Sequence, residues 1–128
     1  MRLLNLAIAL ALAAAPAIAA EPPGGPPTNM REYFLVLLVN PGPERIPMPE
    51  DVFKAHMAYM NKNGAAGTYV MGGPITDGSR IRGIIIVQAK DVATARAIVE
   101  QDPAVKSHIL AAEVHSAMFE DLSVLSTR

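Results

Sequence analysis

In the stretch EDVFKAHMAYMNKNG, residues 50–64, a helical apolar stripe contains an imidazole. His56 lies three residues after Phe53 and four before Met60, so the three share one helix face. A helix that lays Phe53, Met57 and Met60 on a sheet points His56 at the helix–sheet boundary. Two readings stand side by side. One is a packed histidine holding a backbone carbonyl; the other is an imidazole kept there to move protons.

Asp102 is the second residue of this kind. It follows Val99 by three positions and so continues the stripe of a second helix, at the end where the helix dipole opposes negative charge. Its bland role is to stabilise the Asp-Pro turn with Pro103. A carboxylate buried there instead needs a cation or hydrogen-bond donor, and His56 is placed to supply one if both helices lie on one sheet face. Such a pair fixes the imidazole tautomer and leaves the other nitrogen to exchange protons with a substrate.

Other chemistries have weaker support. The chain has no cysteine, so it offers no thiolate nucleophile, thiolate metal ligand or disulfide. Ser79, Ser107 and Ser116 stand outside any nucleophile-elbow pattern. His56, His108, His115 and Glu113 are the conceivable zinc donors, but no two histidines are spaced i,i+4 or i,i+2. No metal or cofactor is expected. The absence of tryptophan and a near-neutral charge give no footprint for nucleic acid.

The elements that must position these residues are legible in order. REYFLVLLVN reads as a buried strand ended by Asn40-Pro41-Gly42. Pro49, Glu50 and Asp51 open the first helix, and Asn63-Gly64 closes it. GTYVMGG and IRGIIIVQA are two strands joined by a hairpin at Asp77-Gly78. Asp91 caps a second helix, DVATARAIVEQ, with Val92, Ala95, Ile98 and Val99 as its apolar stripe. Pro103 stops that helix near Gln101, and AAEVHSAMFE supplies the last strand. The result is an α+β, ferredoxin-like β-α-β-β-α-β order: one antiparallel sheet with both helices on one face. Its other face would be apolar and uncovered, which a second copy of the chain would cure as a homodimer.

The N-terminus carries a separate message. MRLLNLAIALALAAAPAIAA combines Arg2, an apolar run and an Ala17-Ile18-Ala19 cleavage pattern, so residues 1–20 read as a signal peptide. A membrane anchor is the competing reading, and Pro16 with the short basic flank favours cleavage. Removing Arg2 with the leader takes the net charge from −1 to −2. The mature chain is expected in the periplasm or secreted, without stable membrane insertion. Residues 21–30 form a Pro/Gly-rich linker, 31–122 the domain and 123–128 a C-terminal tail.

Three short motifs, in order, carry a family resemblance: KAHMAYMNKNG with its helical histidine, Gly72-Gly73-Pro74 after the second strand, and QDPAV at 101–105. In these the chain, from 32 to about 119, resembles the YciI-like (YCII-related) family. The resemblance implies a dimeric α+β barrel, a histidine–aspartate pair at His56 and Asp102, and a Gly-Pro loop at Gly73 and Pro74. It also implies kinship with a dehydrochlorinase of aromatic breakdown. The chain departs from the family pattern at Ala104, where an aromatic residue is usual, and near His108, which implies an altered pocket wall.

The expected function is an exported lyase- or isomerase-type enzyme acting on a small molecule. His56 would be the acid/base and Asp102 its orienter. Gly73 and Pro74 would shape the pocket entrance, with Tyr59 or Arg82 touching substrate. A ligand-binding module without turnover and a structural dimer with a merely packed histidine are the alternatives.

Overall fold

The computed structural model describes residues 29–125. The expected leader, its cleavage site, nearly all of the linker and the last three residues lie outside the described residues. Among the described residues, no helix is long and apolar enough to cross a membrane.

The chain folds as β1 (Met30–Val39), α1 (Glu50–Ala65), β2 (Tyr69–Pro74), β3 (Ile81–Val87), α2 (Val92–Glu100), α3 (Pro103–Lys106) and β4 (Ala111–Glu120), then a 3₁₀ turn (Ser123–Leu125). This is the ferredoxin-like α+β arrangement, with α3 as a single added turn. The four strands form an antiparallel sheet in the order β2-β3-β1-β4. The two most apolar strands, β1 and β3, take the central places.

Register divides the side chains between the two faces. Phe34, Val36 and Leu38 alternate onto the helix face with Ile85 and Val87, where Ala95, Val99 and Ala104 of α2 and α3 join them. From α1, Val52, Tyr59 and Met60 pack on this core. Phe53 and Met57 do not: both are exposed, contrary to the stripe read from the sequence. They sit on the flank of α1 that overlooks a cavity rather than the sheet. Val92, expected in the α2 stripe, is likewise exposed in that helix's first turn.

The opposite face carries a smaller cluster, Tyr33, Val70 and Ile86, packed by Leu35, Phe119, Leu122 and Leu125. The chain after β4 thus turns back over one end of this face, and the packed unit continues through Leu125. Tyr33 holds it there, its hydroxyl accepting from Leu122 N–H at 2.8 Å. The rest of the face, around Leu37 and Ile84, is only half-buried, and Met71 is exposed.

Two turns need a left-handed residue and have glycine. Gly67 (φ +75°) ends the α1 connection, three residues beyond the Asn63-Gly64 stop read from the sequence, and Gly78 (φ +77°) completes the β2–β3 hairpin. In that hairpin Asp77 accepts the Ser79 N–H at 2.8 Å.

Candidate active site

Asp102 ends α2 and begins α3, and its position explains how a carboxylate survives with no exposure at all. The negative end of α2 is unfavourable for it, but α3 opens at the same residue. Asp102 is the N-cap of α3: its Oδ1 accepts the Ala104 N–H at 2.9 Å, and Pro103 takes the first helical position, where no N–H is needed. The turn role and the partner role are therefore filled by one side chain. The partner is His56, whose Nδ1 lies 2.7 Å from Oδ2 and 2.9 Å from Oδ1.

This geometry sets the tautomer. An ionised carboxylate only accepts, so the proton of a neutral imidazole belongs on Nδ1, donated to Asp102. Nε2 is left with its lone pair and has no hydrogen-bond partner among the described residues. The His56 side chain is 13% exposed, and the residue lines the main cavity.

That cavity is about 690 Å³, the size range of small-molecule sites. α1 contributes Phe53, His56, Met57 and Met60, and β2 contributes the segment Tyr69–Pro74. The walls are mostly apolar. Gly72 lets the two sides approach: a Cβ there would meet Met60 Cε at 3.2 Å and Ile84 O at 3.1 Å. Gly73 and Pro74 line the cavity as expected, but space does not require Gly73, since nothing lies within 4 Å of a Cβ built on it. Pro74 closes an edge strand, where its missing N–H costs no ladder bond.

The expected substrate contacts divide. Arg82 lines the cavity, anchored by Nη1 donating to Ile46 O at 2.8 Å. Burial, and then the charge of nearby Arg45, pull its pKa below the usual guanidinium value. Tyr59 instead turns its hydroxyl onto α2, donating to Ile98 O at 2.6 Å, and is not part of the cavity wall. The tyrosine in the wall is Tyr69, which stacks edge-on to Tyr59. Its hydroxyl is buried without a hydrogen-bond partner among the described residues. Burial foremost, then the neighbouring Tyr59 and Asp102, push its pKa well above the ordinary phenol value.

Arg45, Tyr69 and the cavity role of Phe53 and Met57 escaped sequence reasoning. Arg45 sits in a proline-rich loop without periodicity, and Tyr69 reads as an ordinary strand residue. Neither Ala104 nor His108 lines the main cavity. Ala104 is sealed in the core under α3, while His108 (φ +59°) is exposed at the following turn, beside a separate, shallower concavity. His115 is exposed on the open sheet face, opposite Leu35 of β1. Among the described residues, no three His, Cys, Asp or Glu side chains come together as a metal site.

A model of the YCII-related domain matches residues 33–116. No curated protein matches the sequence. Among solved structures, the chain is similar to the 5-chloro-2-hydroxyhydroquinone dehydrochlorinase TftG from Burkholderia phenoliruptrix AC1100, in complex with 2,5-dihydroxybenzoquinone. The TM-score is 0.51 and the identity 21%, covering 69% of this chain and 93% of that one. At that identity the likeness speaks for the fold.

Proposed function

The chain belongs to the YCII-related domain family, and from that premise we propose that it is a small-molecule enzyme of lyase or isomerase type. His56 is its acid/base and Asp102 the residue that orients it. One observation carries the reading: a fully buried carboxylate holds Nδ1 of an imidazole that lines a substrate-sized cavity. A histidine that served only packing would not need a buried carboxylate to hold it.

In the proposed step, Nε2 takes a proton from a carbon of the substrate. The electron pair left behind forms a double bond, expelling a leaving group from the neighbouring atom, or shifts within a conjugated system. Asp102 stabilises the imidazolium that forms. The imidazolium then returns its proton to another substrate carbon in an isomerisation, or releases it to solvent in an elimination. The similar solved structure is named a dehydrochlorinase, and that name supports the elimination form of the step.

A ligand-binding module without turnover is the second reading. The methionines Met48, Met57 and Met60 in the wall favour it, because such side chains re-pack around varied ligands. Two further parts of the proposal concern setting. The leader pattern supports export to the periplasm or beyond, and the half-buried face around Leu37 and Ile84 supports pairing with a second copy.

The test is a metabolite screen with the purified protein, scored for turnover and for binding. His56→Asn is the informative variant, because its amide nitrogen can replace Nδ1 while nothing replaces Nε2. Turnover in the wild type that disappears in the variant supports the enzyme. Binding with no turnover of any bound compound, in both proteins, leaves the binding module.

A further inference from the structure

The cavity has a charge imbalance that the proton-transfer reading does not use. Arg45 and Arg82 both line it, and no carboxylate does among the described residues. Asp102, held by His56 of the cavity wall, has no exposure and both oxygens engaged. Among the described residues, Arg31, Lys54 and Arg80 form ion pairs with carboxylates, and Arg45 and Arg82 do not.

Two guanidiniums lining one partly apolar cavity repel, and the charge of Arg45 acts on Arg82. Arg82 uses Nη1 to hold the Ile46 carbonyl, which fixes its fork while leaving further N–H donors. That same bond tethers the loop carrying Arg45. Burial, and then the charge of Arg45, pull the pKa of Arg82 below the usual guanidinium value. A planar fork with donors to spare suits a planar, delocalised oxyanion. The rest of the wall, Phe53, Met57, Met60 and Leu110, asks for an apolar body.

We infer that the cavity takes a small organic oxyanion, a carboxylate or phenolate on a compact apolar body, with Arg45 and Arg82 holding the charged group in the same cavity as His56. The inference rests on the reading of this cavity as the substrate site and adds the charge of the substrate. It also adds chemistry: the arginines would stabilise negative charge that develops when Nε2 removes a proton.

The test is binding, which does not depend on turnover. Benzoate against benzamide probes a carboxylate, and 4-nitrophenolate against 4-nitroanisole probes a phenolate, each titrated into the full-length protein by NMR. The expected result is a preference for the anion of at least roughly tenfold in one pair, weakened by added salt. Arg82→Gln should remove most of that preference and leave the neutral compound unaffected. Because Arg82 also ties a loop, Arg45→Gln is the decisive variant: Arg45 is exposed and its side chain makes no hydrogen bond among the described residues. It too should reduce the preference, whereas Arg80→Gln, outside the cavity, should not. The pair that shows the preference identifies the oxyanion. Absence of preference in both pairs, whether the compounds bind or not, overturns the inference, as does a preference untouched by Arg45→Gln and Arg82→Gln. Either failure leaves the His56 reading standing, since that reading is decided by turnover in His56→Asn.

Discussion

The two faces of the sheet are finished to different degrees. On the helix face Val36, Ile85 and Val87 have no exposure, and the one charged group beneath the helices, Asp102, is satisfied on both oxygens. On the other face Tyr33 and Ile86 are covered by the returning C-terminal segment, while Leu35, Leu37 and Ile84 remain half-open beside exposed His115. The helix face is complete within one chain and can hold a charge in place. The other face is held by a short terminal segment and awaits further cover. The sealed core and the candidate chemistry therefore belong to the same side.

The largest effect expected from this contrast is in the sealed core. Ile85→Ala should cost about 2–5 kcal/mol in denaturant unfolding, because the cavity cannot refill from neighbours already at full packing. Leu37→Ala, one strand over on the open face, should cost well under half as much in dilute protein, before a second copy covers that face. Equal losses would mean that both faces are equally sealed in solution, as a tight dimer would make them.

His56→Ala comes next. It strands a buried carboxylate, with a cost near the low end of the roughly 3–5 kcal/mol for breaking a buried pair, since the adjoining cavity admits water. His56→Asn should recover much of this. If His56→Ala is as stable as wild type, Asp102 is not charged in the fold.

Smaller changes probe the terminal segment. Tyr33→Phe removes the acceptor of the Leu122 N–H and should cost about 1 kcal/mol. Hydrogen exchange should show the loss concentrated after β4, with the helix face unaffected.

The least effect is one of pH. Hydrogen bonds from Ser123, with Arg31 and Tyr33 assisting, hold the Asp121 carboxyl below the usual carboxylate range. A group whose pKa is lowered by folding adds stability above its unfolded pKa and loses it as pH falls through the folded one. The C-terminal segment should therefore loosen first on acidification below about pH 4, before the core unfolds. Simultaneous loss of both would erase the difference between the faces.

The sequence made the pair legible because periodicity places His56 and Asp102 on their helices and the β-α-β-β-α-β order places those helices together. The succession of strands and helices along the chain followed from hydrophobic runs and turn residues in the same way. What periodicity cannot say is whether a helix face meets a sheet or a void. Phe53 and Met57 share the stripe with Met60, yet only Met60 packs on the core. Tyr59 and Tyr69 show the same limit: both are tyrosines near the site, and only three-dimensional packing decides which one turns to the α2 backbone and which to the cavity. The turn α3 is too short for any period. Its signature was nonetheless present, as Asp102 followed by Pro103 is an N-cap with proline in the first turn.

The central claim is that Asp102 holds the proton of His56 on Nδ1 and leaves Nε2 as a base in the cavity. Nitrogen-resolved NMR of the His56 ring tests it directly, because the tautomer is read from the two ring nitrogens themselves. Neutral His56 should be protonated on Nδ1 and bare on Nε2, with that preference weakened in Asp102→Asn. A proton found on Nε2, or a tautomer indifferent to Asp102→Asn, would contradict the account.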